Sequence, residues 1–363
     1  MKKDFLNEKK IIICCGSGGV GKTTLSAALA LEAAHRGKKT IVLTIDPAKR
    51  LATAMGLDGL GYTPKEIITS PPLSGKLYAM MLDTKRTFDR LIEKYASDPT
   101  SRKSILNNTL YKHMSSMIAG SQEYMAMEKL YEIYLEDNYD LIILDTPPTR
   151  HALDFLDAPK KMINMTGNSL LKWFLKPGIF LGKTNFRLFR KSAERILSVF
   201  DRLAGFAFLH ELSQMVSLMS GLLGGFQARA KAVYNLLRED VTGFLLVTSP
   251  SSVAIQDALY FHEKICEEEL PFLGFIVNRT HHSLDKDFLE SIRQDLNTLK
   301  PALREKIWDQ VKNYNQLALR DQKATSLLKK MGGKKSFYAS IPLLTADVHD
   351  LEGLQQLYAA MNS

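Results

Sequence analysis

A doubly wound, mostly parallel α/β fold is predicted by three features of this 363-residue sequence. Short apolar runs, each suited to a strand buried on both faces, recur along the chain. Stretches with helical spacing separate them, as crossovers between parallel strands require. The first run also breaks directly into a glycine-rich loop that opens a helix.

That first run is Ile11 to Cys15, followed by Gly16-Ser17-Gly18-Gly19-Val20-Gly21 and then Lys22-Thr23-Thr24. Leu25, Ala28, Leu29, Leu31 and Ala33 then mark an amphipathic helix that runs to Gly37. Strand, G-x-x-x-x-G-K-T, helix is the context of a phosphate-binding loop. Glycines let successive backbone N–H groups turn inward around a polyphosphate, and the helix N-terminus adds its positive dipole end. Lys22 would bridge the outer phosphates, and the Thr23 hydroxyl would ligate Mg²⁺. The motif implies ATP or GTP.

Thr40 to Ile45 is the second predicted strand and runs into Asp46-Pro47-Ala48-Lys49-Arg50. An acid there suits polarising a water, and it equally suits capping a helix that Pro47 would open. Leu77 to Leu82 is the third strand, followed by helical segments to about Asp137 in which no chemistry is evident. Tyr139 to Leu144 delivers Asp145, which after a phosphate loop fits a carboxylate that holds Mg²⁺ through water. Phe244 to Thr248, Phe272 to Val277 and Ser336 to Ile341 complete the strands. Asn278 and Arg279 follow the second of these, and His281-His282 reads as a solvated turn. Polar helices are expected over 284–332, and a closing helix over Asp347 to Met361.

Composition is that of a soluble globular chain, 45% hydrophobic and 24% charged, with only three cysteines. A disulfide framework is excluded and a cytoplasmic home favoured. The N-terminus has no apolar leader, and no run is long enough to span a bilayer. No C-x-x-C occurs, so a structural zinc site is not expected.

Residues 160–238 stand apart, with thirteen Lys and Arg against Glu194, Asp201 and Glu211, while the rest of the chain is near neutral. Large apolar residues such as Trp173, Phe174, Phe206, Met215 and Met219 are interleaved with these charges. Helices packing on the core with basic faces in water would explain this, and so would a partner surface that combines apolar burial with attraction for anions. The interleaving with bulky aliphatics, and the lack of any reader motif, argue against nucleic acid.

Several of these segments carry a resemblance. G-S-G-G-V-G-K-T-T resembles the deviant phosphate loop G-K-G-G-x-G-K-[S/T], shared by nitrogenase iron proteins, partition ATPases, arsenite-pump ATPases and tail-anchored-protein targeting ATPases. L-T-I-D-P-A-K-R-L-A-T-A-M-G-L is similar to switch I of the arsenite-pump and targeting group. D-T-P-P-T-R-H-A-L-D-F-L resembles its switch II, and the stretch ending in Asn278 its I-V-N-Q segment. The likeness spans nearly the whole chain and points to bacterial anion-transporting ATPases of that group. It implies ATP with Mg²⁺, and a homodimer or a heterodimer with a related ATPase. It gives Asp46 the role of positioning the attacking water, and Asn278 with Pro342 that of framing adenine. In targeting members an insert at the place of 160–238 forms a groove for a transmembrane helix, so an apolar or membrane-protein client is implied. Three departures stand out. Ser17 replaces the lysine that reaches the partner's nucleotide, Arg150 stands where glycine is usual, and Ser251 stands where targeting members carry glutamate.

The expected architecture is a single phosphate-loop ATPase domain over 1–363, with a core at about 1–83, 138–159 and 239–363 and helical inserts at about 84–137 and 160–238. The expected function is an ATP-hydrolysing dimeric switch that controls a helical client surface. Asp46 and Lys22 are the catalytic candidates, and Thr23 and Asp145 (through water) the metal ligands. Gly18, Gly19, Val20, Gly21, Lys22, Thr23, Thr24, Asn278 and Pro342 are expected to hold the nucleotide. The rival reading is a weakly hydrolysing, nucleotide-bound scaffold or the regulatory half of a heterodimer. An arsenite-pump subunit ranks below both, because a soft metalloid needs clustered thiolates.

Overall fold

The computed structural model describes residues 4–46, 49–96, 98–108, 111, 121–147, 157–160, 163–164, 222–333, 335–344 and 346–362. The chain separates into two compact units, one of residues 1–82, 132–153 and 237–363, the other of 83–131 and 154–236.

In chain order the elements begin with α1 (Phe5–Glu8), β1 (Ile11–Cys15), α2 (Lys22–His35), β2 (Lys39–Thr44) and α3 (Arg50–Ala54). Next come β3 (Lys65–Ile67), β4 (Lys76–Met81), α4 (Thr84–Tyr95), α5 (Pro99–Asn107), α6 (Ser121–Glu136) and β5 (Leu141–Asp145). After α7 (Leu223–Arg238) follow β6 (Thr242–Thr248), α8 (Ser252–Glu267), β7 (Phe272–Thr280), α9 (Lys286–Leu296) and α10 (Pro301–Gly332). The last two are β8 (Phe337–Pro342) and α11 (Leu351–Asn362).

The first unit is built on an eight-stranded sheet of order β3-β4-β2-β5-β1-β6-β7-β8. All neighbours are parallel except the β3–β4 edge pair. The chain starts inside the sheet and winds outward in both directions, so a crevice opens at the carboxyl ends of the inner strands. Alternation along β1 explains why both faces are covered. Ile12 and Cys14 join a cluster with Leu25, Leu29 and Ala33 of α2 and Leu354, Leu357 and Met361 of α11. Ile11, Ile13 and Cys15 are equally buried and lie outside that cluster, as the two-residue period of a strand dictates. Beyond β6, His262 of α8 packs its ring on Phe272 and Phe275 of β7.

Every strand expected from the apolar runs is present. β3 is the exception that the sequence does not announce. It has three residues, two of them exposed charges, and exists through antiparallel pairing with β4. Such short, charged strands blunt a sheet edge. Asp83 and Asp98 cap α4 and α5 by accepting the N–H groups of Arg86 and Ser101, and Pro99 opens α5.

The second unit is helical where it is described. Phe88 of α4 stacks on Tyr111 and meets Phe226 of α7. A buried ion pair joins Arg229 of α7 to Glu128 of α6 at 2.6 Å, with the guanidinium 4.1 Å above the Tyr131 ring. Most of the basic, apolar stretch expected as an insert over 160–238, namely residues 165–221, lies outside the described residues.

Candidate functional site

The site is organised by the turn from β1 into α2. Gly16 leaves the strand so close to β6 that an added Cβ would sit 1.9 Å from the Val247 carbonyl oxygen. Gly21, at φ +96°, precedes the first helical residue, and a Cβ there would meet Asn278 Nδ2 at 2.3 Å. Only glycine fits both places. The result is a loop whose residues Gly18, Gly19, Gly21, Lys22, Thr23 and Thr24 line a cavity of about 600 Å³. Asp46, Lys49, Arg50, Thr53 and Thr146 complete its polar lining. Val20 turns inward and is buried.

Lys22 is only 7% exposed and donates to the Gly16 and Ser17 carbonyls, both at 2.8 Å. Burial lowers its pKa, and the facing charge of Asp145 opposes that shift. Asp145, at the end of β5, is 1% exposed. Its Oδ2 accepts from the Thr23 hydroxyl at 2.8 Å and the Thr44 hydroxyl at 2.9 Å. Its Oδ1 is buried with no hydrogen-bond partner among the described residues. Desolvation pushes this carboxyl up to about 6, against the pull of the two hydroxyls and Lys22. An unsatisfied buried carboxylate oxygen on the acid that holds the Thr23 hydroxyl is an oxygen donor set suited to a hydrated Mg²⁺.

Asp46 leaves β2 beside this pair and lines the cavity. It is not a helix cap, because the cap position of α3 is Lys49. Its Oδ2 lies 3.3 Å from Arg50 Nη1, so this arginine meets the Asp46 carboxylate. Arg150 and most of the stretch after Asp145 lie outside the described residues. Ser17 donates its hydroxyl to Asp257 Oδ2 of α8 at 2.6 Å. Ser251 caps α8 by accepting the Ala254 N–H.

Asn278 is buried against the loop, with Nδ2 donating to the Val20 carbonyl at 2.9 Å and Oδ1 accepting the Arg279 N–H at 3.0 Å. One amide hydrogen and one oxygen lone pair remain for another partner. Pro342 ends β8 opposite Thr280, two residues past Asn278. Neither Asn278 nor Pro342 lines the cavity. Arg279 is a residue that sequence reasoning missed as a contact of the loop: its Nη1 lies 3.4 Å from the Gly19 carbonyl oxygen. Its one visible signal is an arginine where the resembled segment has glutamine.

Two other expectations meet the structure differently. His281 is not in a solvated turn: its Nδ1 lies 2.7 Å from Oδ2 of Asp321, a carboxylate 1% exposed in α10. Cys14 and Cys15 are fully buried in β1, and burial pushes the Cys14 thiol up to about 12 and the Cys15 thiol higher still. Neither is a thiolate available to a soft metalloid. Among the described residues no group of three His, Cys, Asp or Glu side chains could hold a metal ion, and no helix is long and apolar enough to cross a membrane.

The chain is similar to several curated proteins. It is 26% identical over 262 residues to a protein of Aquifex aeolicus named as an arsenical pump-driving ATPase, covering 69% of this chain and 59% of the relative. It is 36% identical over 157 residues to the ATPase ASNA1 homolog 1 of Paramecium tetraurelia, covering 42% and 44% of the two chains. With the ATPase GET3C of Arabidopsis thaliana it shares 26% identity over 288 residues, 76% of this chain and 68% of the relative. The chain thus spans about half the length of the first two. A family model described as anion-transporting ATPase matches residues 9–333. The phosphate-loop α/β sheet and this match agree, and the chain belongs to the anion-transporting ATPase family.

Proposed function

We propose that this chain is a Mg²⁺-dependent ATPase acting as a dimeric switch, whose nucleotide state controls a helical surface that receives an apolar client segment. The observation that carries the reading is the buried pair Lys22 and Asp145 joined by the half-buried Thr23, which lines the cavity and donates to Asp145, with the other Asp145 oxygen unsatisfied. Lys22 exchanges the Gly16 and Ser17 carbonyls for phosphate oxygens and offsets their charge, and the glycine loop offers its N–H groups. Thr23 and Asp145 hold Mg²⁺, Asp145 through water; when bound, the ion neutralises charge on the outer phosphates. Asp46, already on the cavity wall, accepts a hydrogen bond from the attacking water and orients it. Asn278 uses its remaining amide hydrogen and lone pair on the adenine edge, with Pro342 beside it. In this reading the helical segments at about 84–137 and 160–238 are inserts in one domain, and the chain works in the cytoplasm.

Steady-state phosphate release from Mg-ATP tests the activity. The parent should turn over and Lys22→Ala should not. A parent without turnover contradicts the reading.

A second reading is favoured by Ser17. Its uncharged hydroxyl is held by Asp257, so this subunit offers no lysine to a partner's nucleotide. The chain would then be a nucleotide-loaded scaffold, or the regulatory half of a heterodimer in which the other subunit carries the lysine. Turnover that appears only on mixing with a lysine-bearing paralogue would select it.

A further inference from the structure

β7 carries a bulge where it passes the phosphate loop. Val277 pairs with Ser340 and Thr280 with Pro342, so two residues, Asn278 and Arg279, oppose the single residue Ile341. Successive side chains of a regular strand point to opposite faces, and Asn278 and Arg279 would then address different neighbours. A bulge re-aims them. Arg279 takes φ +61°, a left-handed conformation uncommon for any residue but glycine, asparagine or aspartate. Both side chains consequently reach the same loop, Asn278 at the Val20 carbonyl and Arg279 at the Gly19 carbonyl.

The contact of Arg279 is exposed, so it is no requirement of a buried core. It sets a guanidinium at Gly19, one of the residues lining the cavity. Of the other cations there, Lys22 is buried, Arg50 faces Asp46, and Lys49 is an exposed ammonium that lacks the fork of a guanidinium. Ser17 adds no charge. A polyphosphate entering this loop needs more positive charge than Lys22 alone provides.

We propose that Arg279 is a phosphate-contacting residue: its guanidinium leaves the Gly19 carbonyl for oxygens of the bound nucleotide and supplies the cation that Ser17 cannot. A guanidinium suits this role because it forks onto phosphate oxygens and never loses its charge. The inference rests on the nucleotide-binding reading above.

The test is calorimetric titration of Mg-ATP and Mg-ADP into the parent, Arg279→Gln and Arg279→Lys at two salt concentrations. Glutamine can still donate to Gly19 but carries no charge, whereas lysine restores the charge. Arg279→Gln should bind both nucleotides about tenfold more weakly, with a shallower salt dependence, and Arg279→Lys should recover most of the loss. Arg279→Gln binding like the parent would overturn the proposal, leaving Arg279 as a tie to Gly19. Lysine as weak as glutamine would also overturn it, since charge would then not be what matters. A parent that binds neither nucleotide would instead bring down the nucleotide reading itself.

Discussion

At the carboxyl ends of β1 and β5 the candidate site keeps its charges buried, whereas at the end of β7 it keeps them in water. Lys22 and Asp145 are 7% and 1% exposed, and each is held by short contacts to its own surroundings. Arg279 is exposed and touches the loop through one 3.4 Å contact. The difference assigns different work to the two ends. A buried charge is costly unless paired, so the β1–β5 end is poised for a ligand that completes it, and binding should collapse without it. An exposed charge is screened and mobile, so the β7 end should tune affinity rather than create it.

The largest expected effect breaks the buried end. Lys22→Ala should weaken Mg-ATP binding by at least about a hundredfold, read by calorimetry, because the main charge facing the phosphates is gone. A loss no greater than that of Arg279→Gln would erase the contrast between the two ends.

The second prediction uses pH. Burial raises the Asp145 carboxyl from 3.8 to about 6. Between those values the folded chain keeps a proton that the unfolded chain has released. This group therefore favours the fold at low pH, and the advantage is lost as pH rises from about 4 through about 6, a change of about 3 kcal/mol. Nucleotide-free Asp145→Asn should lack this dependence, so denaturant titrations should find the variant gaining on the parent as pH rises across that window. Mg²⁺ should strengthen ATP binding by the parent at pH 7.5 and progressively less below pH 6, and in Asp145→Asn at no pH. Equal Mg²⁺ dependence in parent and variant would remove Asp145 from the metal site.

The smallest effect is expected for Arg50→Ala. Its guanidinium is 64% exposed and its ion pair with Asp46 is solvated, so stability should change by less than about 0.5 kcal/mol and ATP affinity by less than about threefold. A large loss of turnover with affinity kept would instead place Arg50 on the transition state.

The buried end was also the legible one. Ile11 to Cys15 and Leu141 to Leu144 are apolar because both faces of those strands are covered, and the acid ending the second run stands out for that reason. Gly16 and Gly21 of the loop are demanded by close approaches to Val247 and Asn278, so these motif positions report the geometry directly. The β7 end depends on register instead. The bulge opposing Asn278 and Arg279 to Ile341 arises from pairing with β8, some sixty residues later, and no local pattern encodes it. β3 was hidden likewise, being three residues paired at an edge, and so was the contact of Ser17 with Asp257 across 240 residues. The position of Arg50 facing Asp46 was not legible either.

In the proposed mechanism Asp46, on the cavity wall, orients the attacking water while the buried Lys22 and Asp145, with the half-buried Thr23, hold Mg-ATP. Asp46→Asn tests it most directly, with calorimetric affinity and single-turnover hydrolysis measured on the same preparation. Mg-ATP affinity should stay within about threefold of the parent while hydrolysis slows by about a hundredfold or more. Hydrolysis at the parent rate, with ATP bound, would contradict it.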